Sequence, residues 1–439
     1  MQALVATNWK IYLVYFNKKK GEFKKGVFEQ EYNDYAKGII DAREFHKNFY
    51  FLLKAFQVLD GPIPKYTYVV KTIMLLLVFT ALGLLSLSFY HGLDTFDIPF
   101  LTEAGNYILI LSYKLLIQFC AKLHAHDYHR MQRSMQEDFL FICTRGEKYR
   151  KRFFQHQIET RHIHKLTIIF IMGVGCGMNC FSASFLLYHL LTHEPGEGKR
   201  PLLFPFWYFE TDFSKTPIYE MAFIFSSTCV IAYAFNYIFM IGTQIVWVRQ
   251  IICKADIIIW HIEDVMVGIR PTNNTGEREA FDNLIRQRMK DIVQHHNLMN
   301  TLTEQFARVY KKLLMFEQAL SAPVVCLSAY SAAEKWEEGE FNAILIMLLF
   351  AAVILLFIPS YLCTTLSLKI NSISYACWNI PFWNAGPVIR PYLVFIMQRS
   401  LKPPPLKVPG FEEFSMQTFS NKMASAYSFF NMLRQANKK

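Results

Sequence analysis

Charged residues make up only 18% of this 439-residue chain, where a water-soluble protein carries about 25%. The shortage is concentrated in long stretches almost free of charge, which excludes one large water-soluble enzyme. Cys-x-x-Cys is absent among the nine cysteines, which removes zinc ribbons and thioredoxin-type redox sites from consideration. Most of those cysteines fall in apolar stretches and read as small buried hydrophobes. The chain has no Walker loop, no Gly-x-Ser-x-Gly turn and no His-Glu-x-x-His helix, so it offers no catalytic residues, no metal ligands and no cofactor motif. No secretory leader is expected either. Met1-Gln2-Ala3-Leu4 leads into Lys-, Tyr- and Phe-rich sequence without a compact apolar core or a cleavage site. The first membrane span is therefore expected to direct insertion.

What is present is apolar and aromatic. Hydrophobic residues reach 53%, with 40 Phe and 23 Tyr. The mean hydropathy is only +0.17, so much of the chain must still lie in water. Six apolar blocks are long enough to cross a bilayer: Val69–Tyr90, Ile98–Cys120, Leu166–Leu191, Ile218–Val248, Leu313–Ala333 and Phe341–Leu366. A seventh, weaker block runs from Phe414 to Gln435. Lys and Arg number 11 in residues 1–65, 10 in 121–165 and 10 in 248–312, against 0, 3 and 1 in 91–97, 191–217 and 334–340. This asymmetry places the amino terminus in the cytosol and, with seven spans, the carboxyl terminus outside. It also accounts for the net charge of +11 without nucleic acid. The outer stretches hold no cysteine, so no outer disulfide is expected.

The inner loops are long. Phe281, Leu284, Ile285, Ile292, Leu298 and Leu302 recur among charges between Glu277 and Lys312, a helical pattern expected to run on into the fifth span. Lys71 and Lys114 lie inside spans one and two near their inner ends and are expected to snorkel. His124, His126 and His129 with Asp127 read as a solvated helix face, as do His162/His164 and His295/His296. The sole glycosylation sequon, Asn273-Asn274-Thr275, falls in an inner loop and is expected to stay unmodified. Pro403-Pro404-Pro405 and Pro409-Gly410 separate the amphipathic, basic stretch Pro387–Lys402 from the last span.

The last span is too polar to be wrapped in lipid. Gln417, Asn421, Ser425, Ser428, Met432 and Gln435 are separated by 4, 4, 3, 4 and 3 residues, one stripe along a helix. Phe419, Met423, Ala426, Phe430 and Leu433 populate the other side. Such a stripe fits a water-filled path shared by several copies around an axis, with Met432 as an apolar constriction. It equally fits a buried helix whose polar groups bond to neighbouring helices.

The C-terminal third holds Tyr375-Ala376-Cys377-Trp378-Asn379-Ile380-Pro381-Phe382-Trp383, Arg390, Ile396-Met397-Gln398-Arg399, Lys402-Pro403, Leu406 and Gly410. It continues with Phe414-Ser415-Met416-Gln417-Thr418-Phe419 and Ala426-Tyr427-Ser428-Phe429-Phe430-Asn431-Met432-Leu433. In these motifs and their order the chain resembles an insect odorant receptor. The resemblance implies an all-α membrane protein of seven transmembrane helices with an intracellular amino terminus. It implies a non-selective cation channel opened by a small volatile organic molecule, tetrameric, with cytosolic anchor helices and the last helix lining the pore. The anchor would map to Ile251–Lys312, Thr364–Trp383 and Pro387–Lys402. Met432 would fall at the hydrophobic constriction and Gln435 at a polar pore position.

Residues 248–312 carry no extra block and the chain ends without the terminal motif of the family's shared co-receptor. The likeness is therefore to a ligand-tuning subunit, which would assemble with that co-receptor as a hetero-oligomer in the plasma membrane of olfactory neuron dendrites. The Thr-Tyr…Gln-Phe signature of gustatory receptors is missing. Lys422 and Arg434 would repel cations if both faced a lumen. The implied layout is a cytosolic segment at 1–65 and spans one to four at 66–250, with an inner loop at 121–165. A second cytosolic loop with a helix extension follows at 251–312, then spans five and six at 313–370. An anchor segment at 371–410 precedes the pore helix and short outer tail at 411–439.

In the family the ligand lies in the outer half of the membrane between spans two, three, four and six. The matching positions would be Glu103, Asn106 and Tyr107 on span two, and Gly177, Phe181, Ser184 and Tyr188 on span three. Span four would add Met221, Ile224, Phe225 and Thr228, and span six Ile344, Met347 and Leu348. Contraction around a ligand would pull the seventh helix outward and move Met432 off the axis. Two other readings stand beside this one. A G-protein-coupled-type receptor would need its amino terminus outside, and no Asp-Arg-Tyr or Asn-Pro-x-x-Tyr occurs at inner span ends. A transporter would often show paired broken spans in two similar halves, and none is apparent.

Overall fold

A computed structural model describes residues 31–59, 65–192, 200, 202–209, 211–269, 275–337, 339, 343–381, 383, 386–402 and 413–437. Among them there is no strand, only one isolated bridge between Tyr208 and Thr211. The helices are α1 Ala42–Phe45, α2 Lys47–Ala55, α3 Lys65–Thr95, α4 Ile98–Leu123, α5 Ala125–Cys143 and α6 Glu147–Thr192. They continue with α7 Ile218–Glu263, α8 Thr275–Glu337, α9 Ala343–Trp378, α10 Arg390–Ser400 and α11 Met416–Asn437. Stretch 1–30, Asn273, Asn274 and the Pro403–Pro405 cluster lie outside the described residues.

Among the described residues, six helices (α3, α4, α6, α7, α8 and α9) are long and apolar enough to cross a membrane. The seventh, α11, has 22 residues, which reach about 33 Å at 1.5 Å per residue. Helices α7 and α8 have 46 and 63 residues, so they are about 69 and 95 Å long. A bilayer core is about 30 Å thick, and more than half of each helix must stand outside it. The long extensions carry the charge, and they pack with α1, α2, α5 and α10 around a second apolar core.

That core is aromatic. Phe49 meets Trp247 edge-on with ring centres 5.3 Å apart, and Phe56 stacks on Phe239 at 4.0 Å. Burying each such side chain contributes about 1.5–3 kcal/mol where the alternative is water. A chain of hydrogen bonds crosses it. His46 Nε2 donates to Gln157 Oε1 (3.0 Å), and Gln157 Nε2 donates to Gln250 Oε1 (2.9 Å). Gln250 Nε2 and Lys254 Nζ both donate to Asp138, each at 2.6 Å. Every member is buried, so each polar group is satisfied by the next. The chain ties α5, α6 and α7 to the residue between α1 and α2.

Four sequence expectations need correction, the first being Asp127, which is buried rather than on a solvated face. Lys114 does not snorkel: it is fully buried, and its Nζ has no hydrogen-bond partner among the described residues. Lys71 does reach back, to the Phe56 carbonyl (3.5 Å) and Gln57 Oε1 (3.2 Å). His164 and His296 are buried rather than solvated. The His164 ring meets Phe49, and His296 bonds Ser400 Oγ at 3.2 Å. Periodicity missed these because the inner helix ends are enclosed by other helices on several sides.

Candidate functional site

A cavity of about 130 Å³ opens between α4, α6, α7, α8 and α9. Its wall is mostly aliphatic and aromatic. Helix α4 contributes Tyr107, Ile110, Leu111 and Tyr113, and α6 contributes Phe170, Ile171, Val174, Gly175 and Met178. Helix α7 adds Cys229, Val230, Tyr233, Ala234 and Tyr237, and α9 adds Leu348, Ala351, Ala352 and Leu356. Helix α8 supplies Glu317, Leu320, Ser321 and Val324. One wall residue comes from the segment before α7. Phe204 packs on Tyr107 with ring centres 4.7 Å apart. That segment is pinned where the Trp207 N–H donates to Ser88 Oγ (2.8 Å) and its indole stacks on His91 at 4.1 Å.

Of the residues singled out from sequence, Tyr107 and Leu348 line this cavity. Ile344 is buried beside them, with Met347 and Phe225 packed against the same cluster. Asn106 and Glu103 instead join α4 to α8: Asn106 Nδ2 donates to Ser328 Oγ (2.8 Å), and Glu103 accepts from Lys335 (2.8 Å). Gly177 faces α9, where a Cβ would sit 2.6 Å from Met347 Cε, the movable tip of that side chain. Phe181, Tyr188, Met221 and Ile224 point outward. Ser184 and Thr228 bond their own helix, to the Cys180 and Ile224 carbonyls.

The faces of α6 and α7 that line the cavity were not legible, because both helices are apolar on every side and hydropathy carries no direction there. The contribution of α8 was missed as well. Its signal was present: Glu317 is a lone acid inside an apolar span, and such residues are rare without a function.

The last helix sorts its side chains as the spacing predicts. Gln417, Asn421, Ser425, Ser428, Met432 and Gln435 are all exposed on the isolated protomer. On the other side Ala426 is buried, with Met423, Phe430 and Leu433 packed against Ala322, Val325 and Cys326 of α8. The stripe satisfies itself only in part: Gln417 donates to Asn421 Oδ1 (3.2 Å), and Ser425 and Ser428 bond carbonyls one turn back. Arg434 pairs with Glu337 at the end of α8 and lies 5.8 Å from the Phe430 ring centre.

The family model described as 7tm Odorant receptor matches residues 104–427. The chain belongs to that family. The membership carries the odorant-receptor resemblance drawn from the terminal motifs, and it places the chain among receptors rather than enzymes. The match runs from within α4 to just past the middle of α11, so Ser428, Met432 and Gln435 fall beyond it. Odorant receptor 67c of Drosophila melanogaster is 23% identical over 190 residues, 43% of this chain and 44% of the relative. Odorant receptor 94a of the same fly is 23% identical over 154 residues, 35% and 40% of the two chains. The matched stretch thus spans less than half the length of these curated relatives.

The solved insect olfactory receptor OR5 from Machilis hrabei superposes with a TM-score of 0.68 at 13% identity, covering 90% of this chain and 98% of that one. The same receptor in complex with eugenol gives the same figures. At this identity the likeness is one of fold. It agrees with the all-helical, multi-span membrane architecture expected from sequence.

Proposed function

We propose that the chain is the ligand-tuning subunit of an odorant-gated, non-selective cation channel, formed as a hetero-oligomer with the family's shared co-receptor. The observation that carries this reading is the sorting of α11. Its apolar face packs on α8 and α9, and its polar stripe is left uncovered. In hydrocarbon, the amide atoms of Gln417 and Asn421 that their mutual bond leaves unsatisfied would each cost roughly several kcal/mol. A tetramer that turns the stripe onto a shared aqueous axis removes that cost, with Met432 as the apolar narrowing and Gln435 at its outer side. Pairing with Glu337 neutralises Arg434 there. In this reading the amino terminus is cytosolic, the α7–α8–α9 extensions form the cytosolic anchor, and the plasma membrane holds the assembly.

The cavity between α4, α6, α7, α8 and α9 is the odorant site of this reading. An enclosed apolar space with a few polar groups is what a small volatile ligand needs. That a receptor of like fold binds eugenol supports a small organic ligand here too. Ligand that binds better to the open arrangement shifts the population towards it. The outer end of α8 is the mechanical link, since it holds α4 through Glu103–Lys335 and Asn106–Ser328, and α11 through Glu337–Arg434.

The test is whole-cell current under a panel of volatiles, in cells expressing this chain with and without the co-receptor. Current that needs both chains and whose ligand profile changes on Leu348→Phe supports the reading. Ligand responses that persist when conductance is blocked, through a second messenger, would instead indicate a G-protein-coupled-type receptor.

A further inference from the structure

Glu317 lies within the apolar part of α8 and is 6% exposed. Its Oε1 accepts a hydrogen bond from Tyr237 Oη at 3.2 Å, while its Oε2 has no partner among the described residues. The residue lines the cavity. A buried carboxyl oxygen left unbonded inside a membrane is costly unless something else satisfies it. Three tyrosines stand beside it. Ring centres of Tyr233 and Tyr237 are 5.5 Å apart, those of Tyr113 and Tyr237 are 6.2 Å apart, and all three line the same space.

A carboxyl group among aromatic faces is a receptor for nitrogen bases: the oxygen takes an N–H, and the rings attract whatever positive charge develops on the nitrogen. We propose that the ligand of this cavity is a small volatile amine, its nitrogen bonded to Glu317 Oε2 and its apolar body directed towards Tyr107 and Leu348. The inference rests on the assignment of the cavity as the odorant site. Proton bookkeeping favours an amine over other polar volatiles. A neutral amine with a carboxylic acid, and an ammonium with a carboxylate, hold the same atoms and the same net charge. The volatile neutral base enters, and the proton rests on oxygen or on nitrogen. One O···N hydrogen bond forms in either case. An alcohol cannot take the proton, and a hydrocarbon leaves Oε2 unbonded. The volume, about 130 Å³, is on the scale of the roughly 150 Å³ apolar cavity that admits benzene, so the ligand is limited to about the size of one ring.

The experiment compares benzylamine, benzyl alcohol and toluene, which share one skeleton. Equilibrium binding of each is measured by ligand-observed NMR on the full chain purified into lipid nanodiscs. Benzylamine is expected to bind about tenfold tighter than toluene, with benzyl alcohol between them, and Glu317→Gln is expected to erase the amine's advantage while toluene still binds. Benzylamine no tighter than toluene on the unaltered chain overturns the proposal, and that comparison needs no variant to fold. Absence of binding by all three overturns it together with the assignment of the cavity. An amine preference in a chain that gives no odorant-evoked current even when expressed with the co-receptor leaves this proposal standing and removes the channel reading instead.

Discussion

Arg434 on the last helix is ion-paired with Glu337, the final residue of α8. Two residues earlier on α8, Lys335 holds Glu103 of α4 at 2.8 Å. One turn of helix therefore grips both a cavity-lining helix and the proposed pore helix. Arg434→Glu should weaken ligand-evoked opening, and adding Glu337→Arg should restore it. Both side chains are partly exposed, so the pair is worth about 0–1 kcal/mol, a shift of up to about fivefold in half-activating concentration. Dose–response currents of the two single variants and the double variant decide it. A double variant no better than Arg434→Glu alone would remove this pair from the coupling.

Met432 stands on the uncovered face of α11 and is 57% exposed on the protomer. If it narrows a shared axis, Met432→Ala should leave a standing current without ligand, because an apolar ring holds a pore shut by excluding water. Asn421→Leu on the same stripe should lower unitary conductance without altering which ligands act. Single-channel recording separates the two effects. Resting leak and conductance both unchanged would place this face of α11 away from the ion path.

The six long apolar helices and the two faces of α11 were legible because each rests on contrast along the chain: charged loops against apolar blocks, and a polar stripe against Phe419, Met423 and Phe430. The cavity was not, because its walls on α6 and α7 differ from their lipid-facing sides in neither size nor polarity. Gly177, Phe181, Ser184 and Tyr188 share one face at helical spacing, yet the face that lines the cavity runs through Phe170, Ile171, Val174 and Met178. Only packing against α4, α8 and α9 chooses between them. Lys114 stood out as a charge inside a span, and Glu317, equally visible there, was passed over. Whether each would reach water or stay enclosed depended on neighbours that are distant in sequence.

Glycine marks two close approaches of different kinds. A Cβ on Gly242 would lie 2.7 Å from His164 Nε2 and 3.0 Å from Cδ2, atoms of a buried ring. A Cβ on Gly177 would lie 2.6 Å from Met347 Cε, the far end of a flexible side chain. Gly242→Ala should therefore cost about 1–3 kcal/mol through overpacking, whereas Gly177→Ala should be absorbed by a rotamer change. Melting curves of the purified protein by fluorescence-detected size exclusion test the difference. Equal losses from both substitutions would mean that the α6–α9 contact is as rigid as the α6–α7 contact.

His46 sets a pH dependence with a definite sign. It is enclosed between α1 and α2, where burial pushes its pKa from 6.5 down to about 3, with smaller help from His164 and Arg161 and against the pull of its bond to Gln157. In the folded chain the ring is therefore neutral, and in the unfolded chain it takes a proton below pH 6.5. Between those two values the unfolded state binds more protons, so stability falls as pH drops through this window and is unaffected by His46 above it. The slope is about 1.4 kcal/mol per pH unit once well below the unfolded value. His46→Asn keeps a donor for Gln157 and cannot titrate. Between pH 7 and pH 5 its melting temperature should fall less than that of the unaltered chain, by about one proton's share. An identical fall in both proteins would show that His46 is already solvated and that the hydrogen-bond chain from Gln157 to Asp138 opens before the anchor unfolds.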